Sequence, residues 1–307
     1  MVPAKPGLSL DVAATARAML HAALQRQPSL RVATLAVKES QAKVTTAAAR
    51  AMHIRGLVSS YTTEYGGIPN RIHNVQLVAH LVDDKLIPPG STFSFNRTTG
   101  ERNAAKGFLE APVIVNGELT TGLGGGVCQV STTVFNAAFE AGLKITERTN
   151  HALYISHYPQ GRDATVDYPD VDLQFVNDTG NWLLLRTFVG ASTLTVNLYG
   201  TPTHRKVTST TAPLVTTGPA PLKKTVDPSL KPGEVVVDDP GVPSMSTSVT
   251  RDVYTAGGKH LYHDTWYSSY RAVPKLVRVG PKAEKKPAKK KPDAKTATPP
   301  TQTQPTQ

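Results

Sequence analysis

Residues 124–132 read Gly-Gly-Gly-Val-Cys-Gln-Val-Ser-Thr, and Cys128 in this run is the only cysteine among the 307 residues of the chain. A lone thiol can form neither an internal disulfide nor a thiolate metal cluster. The glycines before it let the backbone turn tightly and leave space above the sulfur. The pattern from Gln129 to Ala141 predicts a helix that stops at Gly142. Cys128 would then lie at a helix N-terminus, where the dipole and the free N–H groups favour a thiolate.

Two interpretations of this cysteine remain open at this point. A cysteine at the start of a helix is typical of a nucleophile, but a lone cysteine is also a common small apolar residue of a protein core. If the turn is a functional site, residues of the same turn and of the segments that follow are further candidates for it: Gly126, Gln129, Ser131, Arg148 and Arg162.

A nucleophilic cysteine needs a base, usually a histidine, and often a carboxylate that orients the base. His151 is the first candidate base, and the following segment supplies Asp163 and Asp167 as candidate orienting groups. A helix that begins with cysteine, then a histidine strand, then an aspartate strand is the layout of papain-like and transglutaminase-like sites. This is an analogy at the level of the fold. His157 competes with His151, because a strand over 152–158 would place both on one face.

Metal binding is the rival chemistry. Cys128, His151, His157 and an aspartate could form a mixed-ligand site, but no pair of them has the close spacing typical of zinc sites. We therefore expect neither a metal nor another cofactor. A separate polar loop between glycines is either a ligand-binding loop or a solvated connection; its side chains are Asn96, Arg97, Glu101 and Arg102.

The charge of the chain is concentrated at its C-terminus. Residues 281–307 carry seven lysines against Glu284 and Asp293, so +5 of the formal net charge of +11 belongs to this segment. It lacks large apolar residues, which predicts a disordered tail that is simply solvated or that adheres to an anionic surface. The basic pI therefore gives no argument for nucleic-acid binding. No stretch of the sequence is long and apolar enough to predict a transmembrane segment.

Hydrophobic periodicity predicts helices first and antiparallel strands later, which is typical of an α+β fold and not of an alternating α/β fold. Helices are predicted over 9–27, 70–86 and 129–141. The glycine–cysteine turn would open the last of these helices, with antiparallel strands after it. Strands are predicted over 31–37, 58–65, 91–95, 111–115 (turning at Asn116-Gly117), 143–148, 152–158, 164–168, 172–176, 182–189 and 194–199.

Composition divides the chain further. It predicts the end of a small α+β unit over residues 1–58 and the central domain over residues 59–200. The threonine- and proline-rich residues 201–222 predict a linker. Residues 223–280 predict a small all-β module with a thin core, and 281–307 the Lys/Pro-rich tail.

Several motifs in the central region match those of a known family in the family's order: Tyr61-Thr62-Thr63, Asn74, Pro89 to Asn96, Gly100-Glu101-Arg102, Gly107-Phe108, Ala111-Pro112, Gly124 to Thr133, Glu147-Arg148, His151 and Gly161 to Tyr168. On these residues, Ser60 to Thr201 resembles the VanW family, named for an accessory protein of vancomycin-resistance clusters.

Two flanking regions add weaker resemblances. Residues 1–58 are similar to the end of a peptidoglycan-binding domain that often precedes a VanW domain. Residues 223–280 resemble a G5 domain through Lys231 to Glu234, Thr250-Arg251, Asp264 to Trp266, Tyr270 and Val277 to Gly280. Such modules are associated with extracellular, sugar-bearing surfaces.

The resemblance implies an extracytoplasmic or cell-wall-associated protein whose partner is peptidoglycan or another cell-wall polymer. Proteins of this arrangement usually begin with a membrane anchor or signal, which the first residues here do not form. An incorrectly assigned start codon or a truncated gene would explain this difference. The sequence carries no indication of the oligomeric state.

Three functions remain in competition. In the first, Cys128 attacks an amide of a peptidoglycan peptide, His151 acts as base and then acid, and N–H groups of the Gly126–Gln129 turn stabilise the oxyanion. In the second, the protein is a non-catalytic wall-binding or scaffolding protein held by the G5-like module and the basic tail. In the third, it is a metal-dependent hydrolase.

Overall fold

The computed structural model describes residues 3–115 and 118–282, which form a mixed α and β structure with largely antiparallel strands. The helices of this part of the chain are α1 Val12–Ala23, α2 Thr46–Ala51, α3 Pro69–Val82, α4 Phe95–Thr99 and α5 Val127–Glu140. The strands are β1 Gly7–Leu10, β2 Val37–Ser40, β3 Gly56–Glu64, β4 Lys85–Ile87, β5 Thr92–Ser94, β6 Glu110–Val115, β7 Glu118–Leu123, β8 Lys144–Glu147, β9 Gln174–Val176, β10 Leu183–Val189, β11 Thr193–Gly200, β12 Lys206–Thr211, β13 Val215–Gly218, β14 Leu222–Val226, β15 Val235–Asp239, β16 Ser244–Tyr254, β17 His260–Tyr270 and β18 Lys275–Val279.

Helix α5 is the centre of the core. From Val127 to Phe139 every residue except Cys128 is buried. The helix packs against β3 and β11 of a four-stranded antiparallel sheet with the order β3-β11-β10-β4. Its buried hydroxyl and amide groups bond to carbonyl oxygens, as Ser131 does to Ala164, so that a helix surrounded by protein has no polar group of this kind left unpaired.

The chain consists of two compact units. The first contains Met1–Pro219 and Pro243–Val273, and therefore the helices and the long β16–β17 hairpin. The second contains Ala220–Val242 and the residues from Pro274 onward, whose strands form a small sheet with the order β14-β18-β15.

Most of the predicted elements are present with shifted ends. The cysteine helix begins two residues before its predicted start, and the predicted helix over 70–86 ends at Val82. The shortening has a local cause, because Asp83 leaves the helical region and Asp84 adopts a positive φ of 56°. The residues that follow form β4, which pairs with β10.

The strands predicted over 152–158 and 164–168 are wrong. The first segment forms bends and turns, and the second contributes only the isolated bridges Thr149–Thr165 and Asp167–Val171. Side chains bond to the backbone here instead: Ala164 donates its N–H to the hydroxyl of Thr132 and accepts from Ser131, and Arg148 donates to the carbonyl oxygens of Gly161 and Asp163 just before it. These bonds satisfy the backbone without a strand partner. The strand predicted over 31–37 is also wrong, since β2 begins only at its last residue.

Residues 201–222 contain regular structure where the composition predicts a linker. Strands β12 and β13 both pair with β16, and the first of them runs in register from Lys206 against Tyr254 to Thr211 against Val249. The threonines that favour a linker interpretation are β-branched and equally suit an exposed strand.

Two sequence predictions fall on residues outside the described ranges. These are the turn at Asn116-Gly117, between β6 and β7, and the tail, whose residues 283–307 lie beyond the described chain. Within residues 3–115 and 118–282, none of the helices has the length and apolar character needed to cross a membrane.

A buried arginine joins the β16–β17 hairpin to the C-terminal end of α5. Arg251 is fully buried and donates to the carbonyl oxygens of Phe139 at 3.1 Å and Leu143 at 2.9 Å. It forms an ion pair with Asp264 at 2.6 Å, and its guanidinium lies over the ring of Trp266. The last carbonyls of a helix need such donors, and a buried cation needs such acceptors.

We expect the substitution Arg251→Met to lower the free energy of unfolding by about 2–4 kcal/mol, because it leaves the Leu143 carbonyl and the Asp264 carboxylate without their donor and takes one of two donors from the Phe139 carbonyl. Urea denaturation followed by circular dichroism measures the change. Lys259→Met, at an exposed position of the same hairpin, is the control and should shift the value by about 0.5 kcal/mol or less. Equal effects of the two substitutions would contradict the proposed role of Arg251.

Candidate functional site

The turn before Cys128 requires glycine for steric reasons. Gly126 is the N-cap of α5 and has a φ of +108°, a region that favours glycine. A Cβ on Gly126 would meet the side chains of Arg71 and Val75 at 3.0 Å, and a Cβ on Gly125 would lie 2.5 Å from the carbonyl oxygen of Pro112. The backbone can therefore pass this close to α3 and β6 only without side chains.

Cys128 lies in the first turn of α5 as the sequence predicts, and it is partly exposed. Its Sγ lies 3.5 Å from the hydroxyl of Thr165 and 3.7 Å from the carbonyl oxygen of Val166. Burial alone would raise the pKa of the Cys128 thiol, but the hydrogen bond to His151 and the charge of that ring lower the pKa to about 7.

His151 is held from its other side by Asp163. The Nδ1 atom of the ring lies 2.8 Å from Oδ2 of Asp163, and the backbone N–H of His151 donates to the same oxygen at 2.6 Å. Burial alone would lower the pKa of His151, but the hydrogen bonds to Asp163 and Cys128 raise it to about 9. With Nδ1 engaged, Nε2 is the nitrogen left for the thiol.

The second oxygen of the Asp163 carboxylate is also occupied. Oδ1 accepts hydrogen bonds from Arg148 at 3.0 Å and from the hydroxyl of Tyr270 at 2.8 Å. Burial alone would raise the pKa of Asp163, but the hydrogen bond from His151 and the charge of Arg148 hold it below the usual value. The carboxylate therefore stays ionised and keeps the histidine in one orientation.

A cleft of about 710 Å³ opens above this group of residues. Cys128, His151 and Thr165 line it together with the glycine turn. The remaining walls carry aromatic, cationic and aliphatic side chains, among them Arg71, Arg102, Val113, His157, Tyr158 and Tyr168. A cleft with an apolar wall and a few convergent polar groups is the usual form of a small-molecule or peptide site.

The sequence-based candidates take different places around the cleft. Gln129 lines it, and its amide oxygen accepts from Arg71 at 3.2 Å and from Tyr158 at 3.3 Å. Ser131 is buried below the cleft and ties α5 to the carbonyl oxygen of Ala164 at 2.6 Å.

Of the two candidate aspartates, Asp163 is bonded to His151, while Asp167 lines the cleft without contacting the ring. Arg148 does not line the cleft but holds Asp163 from below. Arg162 lies away from the cleft, where it bonds to Asn136 and Glu140 on the far side of α5 and stacks over Phe139.

Three residues of the site are missed by reasoning from the sequence. Tyr270 lies more than 100 positions after Asp163, so no spacing rule points to it. Arg71 and Tyr158 join the site through Gln129. The only available signal for Tyr158 was its position one residue after the competing His157, whose ring it contacts.

In the described part of the chain, the ligand atoms of Cys128, His151, His157 and an aspartate do not all lie close enough to one another to hold one metal ion. Within the described ranges, the one group of three potential ligands whose atoms lie close together is Asp252, His260 and His263, at the β16–β17 hairpin. Both imidazoles of this group are exposed and bond to the Asp252 carboxylate, at 3.0 and 2.8 Å. These two hydrogen bonds explain why the three side chains lie close together.

Comparison with known proteins covers the part of the chain that carries this cleft. Residues 70–199 match the family model described as VanW like protein. Residues 70–199 are a VanW-like domain. Cys128, His151 and Asp163 all lie within these bounds.

Two relatives match part of this chain. The uncharacterized protein YoaR of Bacillus subtilis (strain 168) is 42% identical over 130 residues, which are 42% of this chain and 43% of that protein. Vancomycin B-type resistance protein VanW of Enterococcus faecalis (strain ATCC 700802 / V583) is 33% identical over 117 residues, 36% of this chain and 42% of that protein. The aligned region thus spans less than half of the length of either relative.

Among solved structures, the G5 domain of an IgA1 protease aligns with 26% of this chain and 98% of its own length, at 17% identity and a TM-score of 0.18.

The thiol of Cys128 should titrate near neutral pH because of His151. We expect the rate of iodoacetamide alkylation to rise with a midpoint near pH 7 in the unaltered protein. In His151→Gln the midpoint should move to about 8.5 or above, since burial then acts without the opposing imidazolium. Intact-protein mass spectrometry reports this thiol alone, because the chain has one cysteine.

His80→Gln, at the exposed end of α3, is the matched control and should leave the midpoint in place. A midpoint that is the same in His151→Gln as in the control would contradict the assignment of His151 as the partner of Cys128.

Proposed function

We propose that the cleft of the VanW-like domain is a cysteine acyl-transfer site that acts on amides of cell-wall peptides. The observation that carries the proposal is the alignment of three groups. His151 lies between Cys128 and Asp163, with one ring nitrogen fixed by the carboxylate and the other left for the thiol. A nucleophile, a base and a group that orients the base are the parts that covalent acyl transfer requires.

The first chemical step uses the thiolate–imidazolium pair. The Cys128 sulfur attacks the amide carbon, and His151 gives its proton to the leaving amine. This leaves an acyl thioester on Cys128. A water or a second amine then attacks the thioester, His151 takes its proton, and the thiolate is released. The accepting water gives hydrolysis, and the accepting amine gives transfer.

The oxyanion that forms in both steps needs N–H donors from the turn. The N–H groups of Val127 and Gln129 already donate to the carbonyl oxygens of Gly124 and Gly126. Within the described residues, the N–H groups of Gly126 and Cys128 have no such acceptor, which makes them the proposed donors. A donor at the nucleophile's own backbone is a common element of such sites.

The proposed location is the cell envelope, outside the cytoplasm. Similarity to a vancomycin B-type resistance protein supports it, and so does the sequence resemblance of residues 223–280 to a G5 domain. Peptidoglycan is the substrate we propose, because its stem peptides offer amides to a cleft of this size. Reaction with a second amine would join two such peptides, and reaction with water would trim them.

We expect purified protein to convert peptidoglycan fragments, with products identified by mass spectrometry, and Cys128→Ala to abolish the conversion. Asp163→Asn should lower kcat by about 10²–10⁴-fold, because the neutral amide no longer stabilises the imidazolium. Asp170→Asn, at an exposed position seven residues later, is the matched control and should stay within about twofold of the unaltered protein.

A mass adduct on Cys128 during turnover would be the direct sign of the thioester. A folded Cys128→Ala protein with full activity would overturn the proposal. If the unaltered protein converts no fragment, and if it and Cys128→Ala sediment equally with cell-wall sacculi, the protein is instead a non-catalytic wall-binding protein.

A further inference from the structure

Arg102 is a cation at the cleft whose guanidinium has no hydrogen-bond or ion-pair partner within the described residues. It follows α4 and lines the same cleft as Cys128. Its Nη1 and Nη2 atoms are buried, and neither donates a hydrogen bond to a described protein atom. No carboxylate of the described chain lies within 4.0 Å of it.

The guanidinium of Arg102 lies near two aromatic rings. It lies 5.7 Å from the centre of the Phe95 ring and 5.9 Å from that of Tyr168. Its stem packs against the glycine turn, where a Cβ on Gly124 would lie 3.0 Å from Cβ of Arg102. Cation–π contacts at these distances stabilise the charge without using the N–H groups of the guanidinium, which stay free to donate.

A buried guanidinium without acceptors is unfavourable, since its N–H groups lose water and gain nothing in return. The charges of Cys128, Asp167 and Asp172 offset part of this cost at longer range. Asp172 cannot turn toward the arginine cheaply, because its two oxygens already accept hydrogen bonds from Ser94 and the Asn96 backbone. Asp167 lines the same cleft but forms no ion pair or hydrogen bond with Arg102 among the described residues. The donors of Arg102 therefore suit an acceptor that comes from outside the chain.

We propose that Arg102 forms an anion subsite of the cleft, which binds a carboxylate of the ligand next to the carbon that Cys128 attacks. The fork of a guanidinium matches a carboxylate in a bidentate pair. The proposal deepens the proposed function and rests on it for the identity of the reacting group. It restricts the substrates to peptides with a free carboxylate near the reactive amide.

The binding of a carboxylate can be tested with reagents that carry one. Iodoacetate and iodoacetamide both react with the Cys128 thiolate, forming the sulfur–carbon bond as iodide leaves with the electrons of the carbon–iodine bond. They differ in that the first bears a carboxylate where the second bears a carboxamide. Because both react with the same thiolate, the ratio of their rates cancels any change in thiolate concentration and reports the subsite.

We expect Arg102→Gln to lower the iodoacetate-to-iodoacetamide rate ratio by about ten- to a hundredfold, the range for loss of a charge-assisted hydrogen bond. Arg102→Lys should retain a ratio at least about threefold above Arg102→Gln, because the charge remains. Arg97→Gln removes an exposed arginine five residues earlier that does not line the cleft, and it is the matched control with an unchanged ratio. An equal ratio in Arg102→Gln and the control would overturn the proposal.

A second measurement needs no substitution at Arg102. Propionate should protect the unaltered protein from iodoacetamide at concentrations at which propionamide does not. Equal protection by the two compounds would overturn the subsite. Failure of the proposed function would give a different result from failure of the subsite. It would already be visible with iodoacetamide alone, as an unreactive Cys128 or as a pH midpoint that His151→Gln does not change. A fast reaction with iodoacetamide and no preference for the carboxylate would reject only the subsite.

Discussion

The Asp163 carboxylate is the constraint on which the candidate site depends. It is almost fully buried and accepts four hydrogen bonds, from the His151 backbone and ring, from Arg148 and from Tyr270. A buried anion is tolerated only when its oxygens are satisfied in this way. The same four bonds join the segment after β8 and the end of β17 to the irregular segment that contains Asp163, so the charge and the local fold support each other.

The direction of each pKa follows from this arrangement and defines a pH range for the pair. The pKa of Cys128 is lowered to about 7, so the stability that its thiolate contributes is present above the ordinary thiol pKa and is lost as the pH falls through 7. The pKa of His151 is raised to about 9, so the contribution of its imidazolium is present below the ordinary histidine pKa and is lost as the pH rises through 9. Between these values both charges exist together, with Asp163 compensating the imidazolium.

The sequence predicts the part of the site that is local. Glycines, cysteine and an apolar period in one run are enough to place Cys128 at the start of α5, and the structure has this arrangement. The choice between Asp163 and Asp167 is not local. A regular strand would place both on one face, whereas the bends and isolated bridges observed here turn only Asp163 toward His151. The segment can bend because side chains outside it, such as that of Arg148, form hydrogen bonds with its backbone. The sequence of the segment itself gives no indication of these bonds.

The support of the site extends beyond the span of the VanW-like domain that residues 70–199 define. Tyr270, which donates to Asp163, comes from β17, and the sequence groups it with a separate all-β module. The β16–β17 hairpin nevertheless belongs to the same compact unit as Cys128, and Arg251 of that hairpin also closes the C-terminal end of α5. One helix is thus fixed at its start by the glycine turn and at its end by the hairpin. The position of the thiol relative to His151 depends on both ends, because a packed helix moves as a rigid element.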